Sequence, residues 1–237
     1  MLPEVPSVNR GLAIALAVAT FAVAACGGSS LPPPGGATPG AAATPAPLPA
    51  GQHTSTAFQP TVTFTTAVGW VLYTDSASYL NLGPVVGGDV VGVHLFANPV
   101  PLAQSTDCPT AAEPGVTATS STTFLAWMKT IKGLNVTSTS LASIGGLPAT
   151  AVDVSIKSDW TASCPFAGGT PTVPLIFGPA NGLRWVIAGD ERLRLYFVDL
   201  PKGGFVVLDI DAFVGTEMDS LLSNAAPIIK SMTFASN

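Results

Sequence analysis

Asp209 and Asp211 stand two residues apart in the run FVVLDID at 205–211. In a strand, residues i and i+2 share a face, so this spacing sets two carboxylates side by side. Such a pair suits a hard cation such as Ca²⁺, or acid–base exchange. Val206, Leu208 and Ile210 take the alternate positions. The expected setting is therefore a core on one side and water on the aspartate side. That makes Asp209 and Asp211 a weak metal candidate within a chain that otherwise suggests no metal. Asp190, Glu191, Arg192 and Arg194 surround a turn and read as exposed ion pairs of small energetic value.

A Ser-His-Asp triad needs a histidine base. The chain has 2 histidines, His53 and His94. His94 lies inside the apolar run Val91–Phe96, where a hydrogen-bonded strand histidine is expected. No Gly-x-Ser-x-Gly elbow occurs, and Gly87-Gly88 and Gly168-Gly169 lack the Lys-Ser/Thr of a phosphate loop. These residues suggest no enzyme, no catalytic residue and no cofactor. Trp160 and Phe166 sit in a loop beside Cys164. Loop aromatics either stack on a sugar or anchor a partner, or form a small cluster beneath the loop. Both readings stay open.

The chain begins with one basic residue, Arg10, before an uncharged apolar run, then Val23-Ala24-Ala25-Cys26. Fifteen helical residues rise about 22 Å, short of a hydrocarbon core about 30 Å thick. The stretch resembles a bacterial lipoprotein signal, cut before Cys26. The resemblance implies lipidation of Cys26, with a diacylglyceryl group on sulfur and a further acyl chain such as palmitate on nitrogen. Two chains suffice for stable anchoring. The expected location is the bacterial cell envelope, on the exported side. Residues 26–59 hold seven prolines between Pro32 and Pro49, and no charge occurs from Cys26 to Asp75. They read as a disordered Pro/Ala/Gly tether.

With Cys26 assigned to lipid, Cys108 and Cys164 form an even pair in an oxidising compartment and are expected to be disulfide-bonded. Removing residues 1–25 takes away one acid and one base, so the formal net charge stays at −5. No basic stripe occurs, which disfavours nucleic acid and leaves the lipid on Cys26 as the membrane contact.

Residues 60–237 fit one domain. Short β-rich runs at 61–66, 70–73, 78–82 and 90–96 precede a long loop at 98–120. Phe124, Trp127, Met128 and Ile131 recur on one helical face. Ser120 or Ser121 would cap this helix and Gly133 would stop it. Strands follow at 135–143 and 149–156, then a loop at 157–171. A meander of tight hairpins runs from Val173 to Asp211. A second helix starts near Thr216, with Pro227 expected to kink or divide it. This is an α+β pattern: an antiparallel sheet of meander hairpins with two main helices packed on it.

Phe64, Gly69-Trp70, the hairpin Ile144-Gly-Gly-Leu-Pro-Ala149 and the ending Pro227-Ile-Ile-Lys-Ser-Met-Thr-Phe234 carry a resemblance. The domain resembles the Mog1/PsbP-like fold of small bacterial lipoproteins, including the LpqN-like group. That resemblance implies noncatalytic accessory or binding roles, with an unidentified envelope protein, glycan or lipid as partner. A carrier of an apolar ligand, held in a cavity between sheet and helices, is the alternative.

Overall fold

The computed structural model describes residues 46–85, 91–178, 182–213 and 217–235. The leader, Cys26 and the tether up to residue 45 lie outside the described residues. Among those described, no helix is long and apolar enough to cross a membrane.

Alternating apolar residues build a seven-stranded antiparallel sheet. Its order is β3 (Trp70–Asp75), β4 (Tyr79–Pro84), β5 (Gly92–Ala97), β12 (Phe205–Ala212), β11 (Arg192–Asp199), β8 (Leu147–Ile156) and β7 (Leu134–Ile144). Against one face pack the small sheet β1 (Gly51–Thr54), β2 (Val62–Thr66), β13 (Thr233–Phe234) and the helix α2 (Met218–Ser231). Against the other pack β10 (Leu183–Ala188), β9 (Thr172–Gly178), β6 (Val100–Pro101) and the helix α1 (Ser121–Met128). The protein is an α+β fold with two cores, one on each side of the central sheet.

The two-residue period divides β12 between those cores. Val206, Leu208 and Ile210 join the α2 core, and Phe205 and Val207 join the α1 core. Burying each such side chain stabilises the fold by about 1.5–3 kcal/mol. All eight residues of β12 are buried, which a strand with one wet face would not show.

Ser120 caps α1: its side chain accepts from the Thr123 amide while Thr123 Oγ1 accepts from the Ser120 amide. Asp199 adds a carboxylate at this helix start, accepting from Ser121 N and Oγ at 2.8 Å each, where the helix dipole favours negative charge.

Four expectations need correction. Residues 46–59 are not tether. Pro47 bridges Val71, Gly51–Thr54 forms β1, and the Asp75 carboxylate accepts from the amides of Thr56, Ala57 and Phe58. Gly133 is not a left-handed helix stop: it has no positive φ, and a Cβ there would lie 2.7 Å from the Trp160 indole. Pro227 does not divide α2, which runs unbroken from Met218 to Ser231. The cost of an internal proline, about 3 kcal/mol, is offset because Met218, Leu221, Ala225, Ile228 and Ile229 bury one continuous face. Finally, β10 does not continue the meander. It pairs with β9 in the outer layer, and the chain changes layers at the turn before β11.

Candidate functional site

That change of layers decides the setting of Asp209 and Asp211. Both do lie on one face of β12, but β10 closes over it. Asp209 is 0% exposed and Asp211 2%; the expected solvated face is absent because a second sheet covers it. Asp209 Oδ2 accepts from the Trp185 indole N–H at 2.9 Å. Asp209 Oδ1 and Asp211 Oδ1 have no hydrogen-bond partner among the described residues. Glu191, expected to be an exposed turn residue, is 7% exposed and accepts from the Ala188 amide at 2.7 Å.

Burial disfavours the ionised form of each acid. It pushes the Asp209 carboxyl well above the ordinary carboxylate range, against the Trp185 hydrogen bond. Burial raises Asp211 likewise, with the charges of Asp209 and Glu191 adding to it. Glu191 is pushed up to about 7 by burial, opposed by the Ala188 amide and reinforced by Asp190.

His94 pairs in register with Asp209 across β5 and β12. It is fully buried, shares a hydrogen bond with Tyr79 Oη through Nδ1 at 2.9 Å, and packs 4.5 Å from the Trp185 ring. Its Nε2 has no partner among the described residues. Burial pushes His94 down to about 3, so it is neutral at physiological pH. Among the described residues, no three His, Cys, Asp or Glu side chains are placed to hold one metal ion. The cation candidate at Asp209 and Asp211 thus gains no third His, Cys, Asp or Glu ligand among the described residues.

Cys108 and Cys164 are disulfide-bonded, across a sequence separation of 56. Trp160 lies beside this crosslink, half-buried, donating its indole N–H to the Thr172 carbonyl at 2.9 Å and packing over Gly133. Its ring packs against the core on the α1 side of the sheet. Phe166, 51% exposed, stands in a short 3-10 turn with the Arg184 guanidinium 4.0 Å above its ring. Structure thus separates the two aromatics: Trp160 faces the core and Phe166 the surface.

A third feature escaped the sequence reading. Two adjoining depressions, of about 360 and 750 Å³, share Arg194 and Leu222 and run along one side of α2. β11, β8 and β7 form their floor. Strand register aligns Arg194, Asp153 and Thr137 in one row, and Tyr196, Ala151 and Ser140 in the next. Arg194 grips Asp153 through two bonds of 2.6 and 2.8 Å. Leu222, Ala226 and Ile229 of α2 wall the wider, more apolar end near Ala142 and Ile144. The only sequence signal was the alternation of Arg192, Arg194 and Tyr196 along β11, which marks a face with no apolar cover.

No family model matches this chain, and no curated protein sequence matches it. The fold is similar to cyanobacterial PsbP (CyanoP) from Synechocystis sp. PCC 6803, with TM-score 0.40 and 9% identity over 79% of this chain and 95% of that one. It is similar to LpqN of Mycobacterium tuberculosis, described as involved in cell envelope biogenesis, with TM-score 0.36 and 14% identity over 81% and 91% of the two chains. A Bacteroides thetaiotaomicron VPI-5482 structure has TM-score 0.35 and 10% identity over 74% of this chain, which spans 46% of its length. PsbP and LpqN are the groups that the sequence resemblance named, and the likeness is weak.

Proposed function

We propose that this chain is a lipid-anchored protein of the bacterial cell envelope whose folded domain binds another envelope component without catalysis. The anchor rests on the leader-like segment and Cys26. The binding reading rests on one observation: the groove beside α2 is open, whereas the acids and the histidine that catalysis would use are buried away from it. Within the groove, Asp153 is committed to Arg194. The floor mixes an aromatic ring, paired charges and small residues, which favours recognition over bond making.

The apolar end of the groove favours a second reading, the carrier of an apolar ligand. The space directly between the sheet and α2 is filled by Met218, Leu221, Ala225, Ile228 and Ile229. Such a ligand would therefore lie along the helix rather than beneath it.

Photo-crosslinking in a bacterium with intact lipoprotein processing tests both readings. A benzophenone amino acid at Leu222 should give a discrete adduct, and one at exposed Val68, outside the groove, should not. A protein or glycan adduct supports the binding module, and a lipid adduct the carrier. Adducts from Val68 alone would defeat both.

A further inference from the structure

Asp209 under Trp185 of β10, Asp211 two residues on along the same face, and Glu191 in the turn after β10 bring three buried carboxyl groups within electrostatic reach of one another. Nothing in the binding reading uses them. The groups facing them are Tyr79 and Asn81 of β4, His94 of β5, Trp185 of β10 and Asp190 of the turn before β11. Among the described residues, β9 adds the buried hydroxyl of Thr172, which pairs in register with Ala188, and β9, β11 and α1 otherwise contribute apolar side chains to this core. Among the described residues no lysine or arginine supplies a compensating charge to either aspartate. A buried carboxylate without a counter-charge neutralises by taking up a proton.

The layer above them is held to the central sheet by apolar packing of Val173, Leu175, Ile176 and Ile187 rather than by strand pairing. Among the described residues β10 is an edge strand of its three-stranded sheet, paired in register with β9. The disulfide joins the loop after β6 to the loop before β9, so it staples this layer to itself rather than to the central sheet. Trp185 supplies a direct polar link from β10 to β12.

We propose that Asp209, Asp211 and Glu191 form a proton-operated latch: protonated, they let the β6–β9–β10 layer seat on the central sheet, and ionised, they drive it away. Loss of these protons concentrates like charge in one apolar interface, and the cheapest relief is water entry beneath β10. His94 stays neutral throughout and does not offset the charge.

Hydrogen exchange on the full chain, disulfide intact, tests this. Exchange over β9–β10 is divided by exchange over β7–β8 in the same sample, which cancels the pH dependence of the chemistry itself. This ratio should rise about tenfold or more from pH 5.5 to pH 8.5, and rise clearly less in Asp211→Asn, which keeps two of the three acids. Should that variant misfold, Glu191→Gln at the rim should blunt the rise. A ratio that does not change with pH in the wild-type protein overturns the latch, as does an equal rise in wild type and folded variants. Recovery of protection at pH 8.5 by millimolar Ca²⁺ would also overturn it, because the carboxylates would then serve a cation.

Discussion

The Trp185 indole N–H meets Asp209 Oδ2 at 2.9 Å, joining an outer three-stranded layer to the middle strand of the central sheet. This bond satisfies one oxygen of a fully buried carboxyl and leaves the other without a partner. Trp185→Phe keeps most of the packing and orphans both oxygens. It should cost about 1–3 kcal/mol, the desolvation penalty of a newly unpaired buried group. Urea unfolding of the variant measures it. A cost near zero would mean that water already serves Asp209.

The acids and His94 give opposite pH dependences. Glu191 moves from 4.5 to about 7 on folding, and Asp209 and Asp211 rise well above 3.8. The folded state then holds more protons than the unfolded state, so stability falls as pH rises. For Glu191 the fall begins near 4.5 and levels off near 7; for the aspartates it continues higher. His94, moved from 6.5 to about 3, works the other way, with stability lost as pH drops below 6.5. Between these limits the three acids outweigh the one histidine. The urea midpoint should be higher at pH 5.5 than at pH 8.5, and His94→Gln should flatten the acid limb alone. A midpoint that climbs toward pH 8.5 would contradict the buried-acid account.

The Cys108–Cys164 bond closes a long loop, with a sequence separation of 56. Removing it with paired Cys→Ala substitutions should cost about 4 kcal/mol on the chain-entropy account. Denaturation of the variant beside the oxidised protein checks the figure. A loss below about 1 kcal/mol would show that the reduced chain is already restrained there.

Gly133 is required for space rather than backbone freedom. A Cβ would stand 2.7 Å from Trp160 ring carbons and from Val173 Cγ2. Gly133→Ala should destabilise by about 1–3 kcal/mol through overpacking. Gly133→Ala combined with Trp160→Leu should recover part of that loss. Thermal melting of both variants decides whether the clash is with the indole.

Much of the architecture was legible locally. The run 205–211 announced β12, and Phe124, Trp127, Met128 and Ile131 announced α1, because an amphipathic period follows from which residues leave water. The Ser120-Ser121 pair announced a cap, and the structure assigns it to Ser120, because capping is a contact over three residues. The cysteine pair was legible from its number and the implied compartment.

Contacts between layers were not legible. Alternation tells which side chains share a face, but not whether that face meets water or a second sheet. Asp209 and Asp211 follow the same two-residue period in either case, and only the fold of β9 and β10 across them made them buried acids. The same holds at β11, where Arg192, Arg194 and Tyr196 line a groove because α2 crosses the sheet to one side of them. Sequence by itself determined the longer strands and the two helices, which depend on neighbours along the chain, and the crosslinked pair, which followed from the cysteine count; it missed β1 and β6. Tertiary structure decided which polar faces were covered and which stayed open, since burial depends on segments distant in sequence.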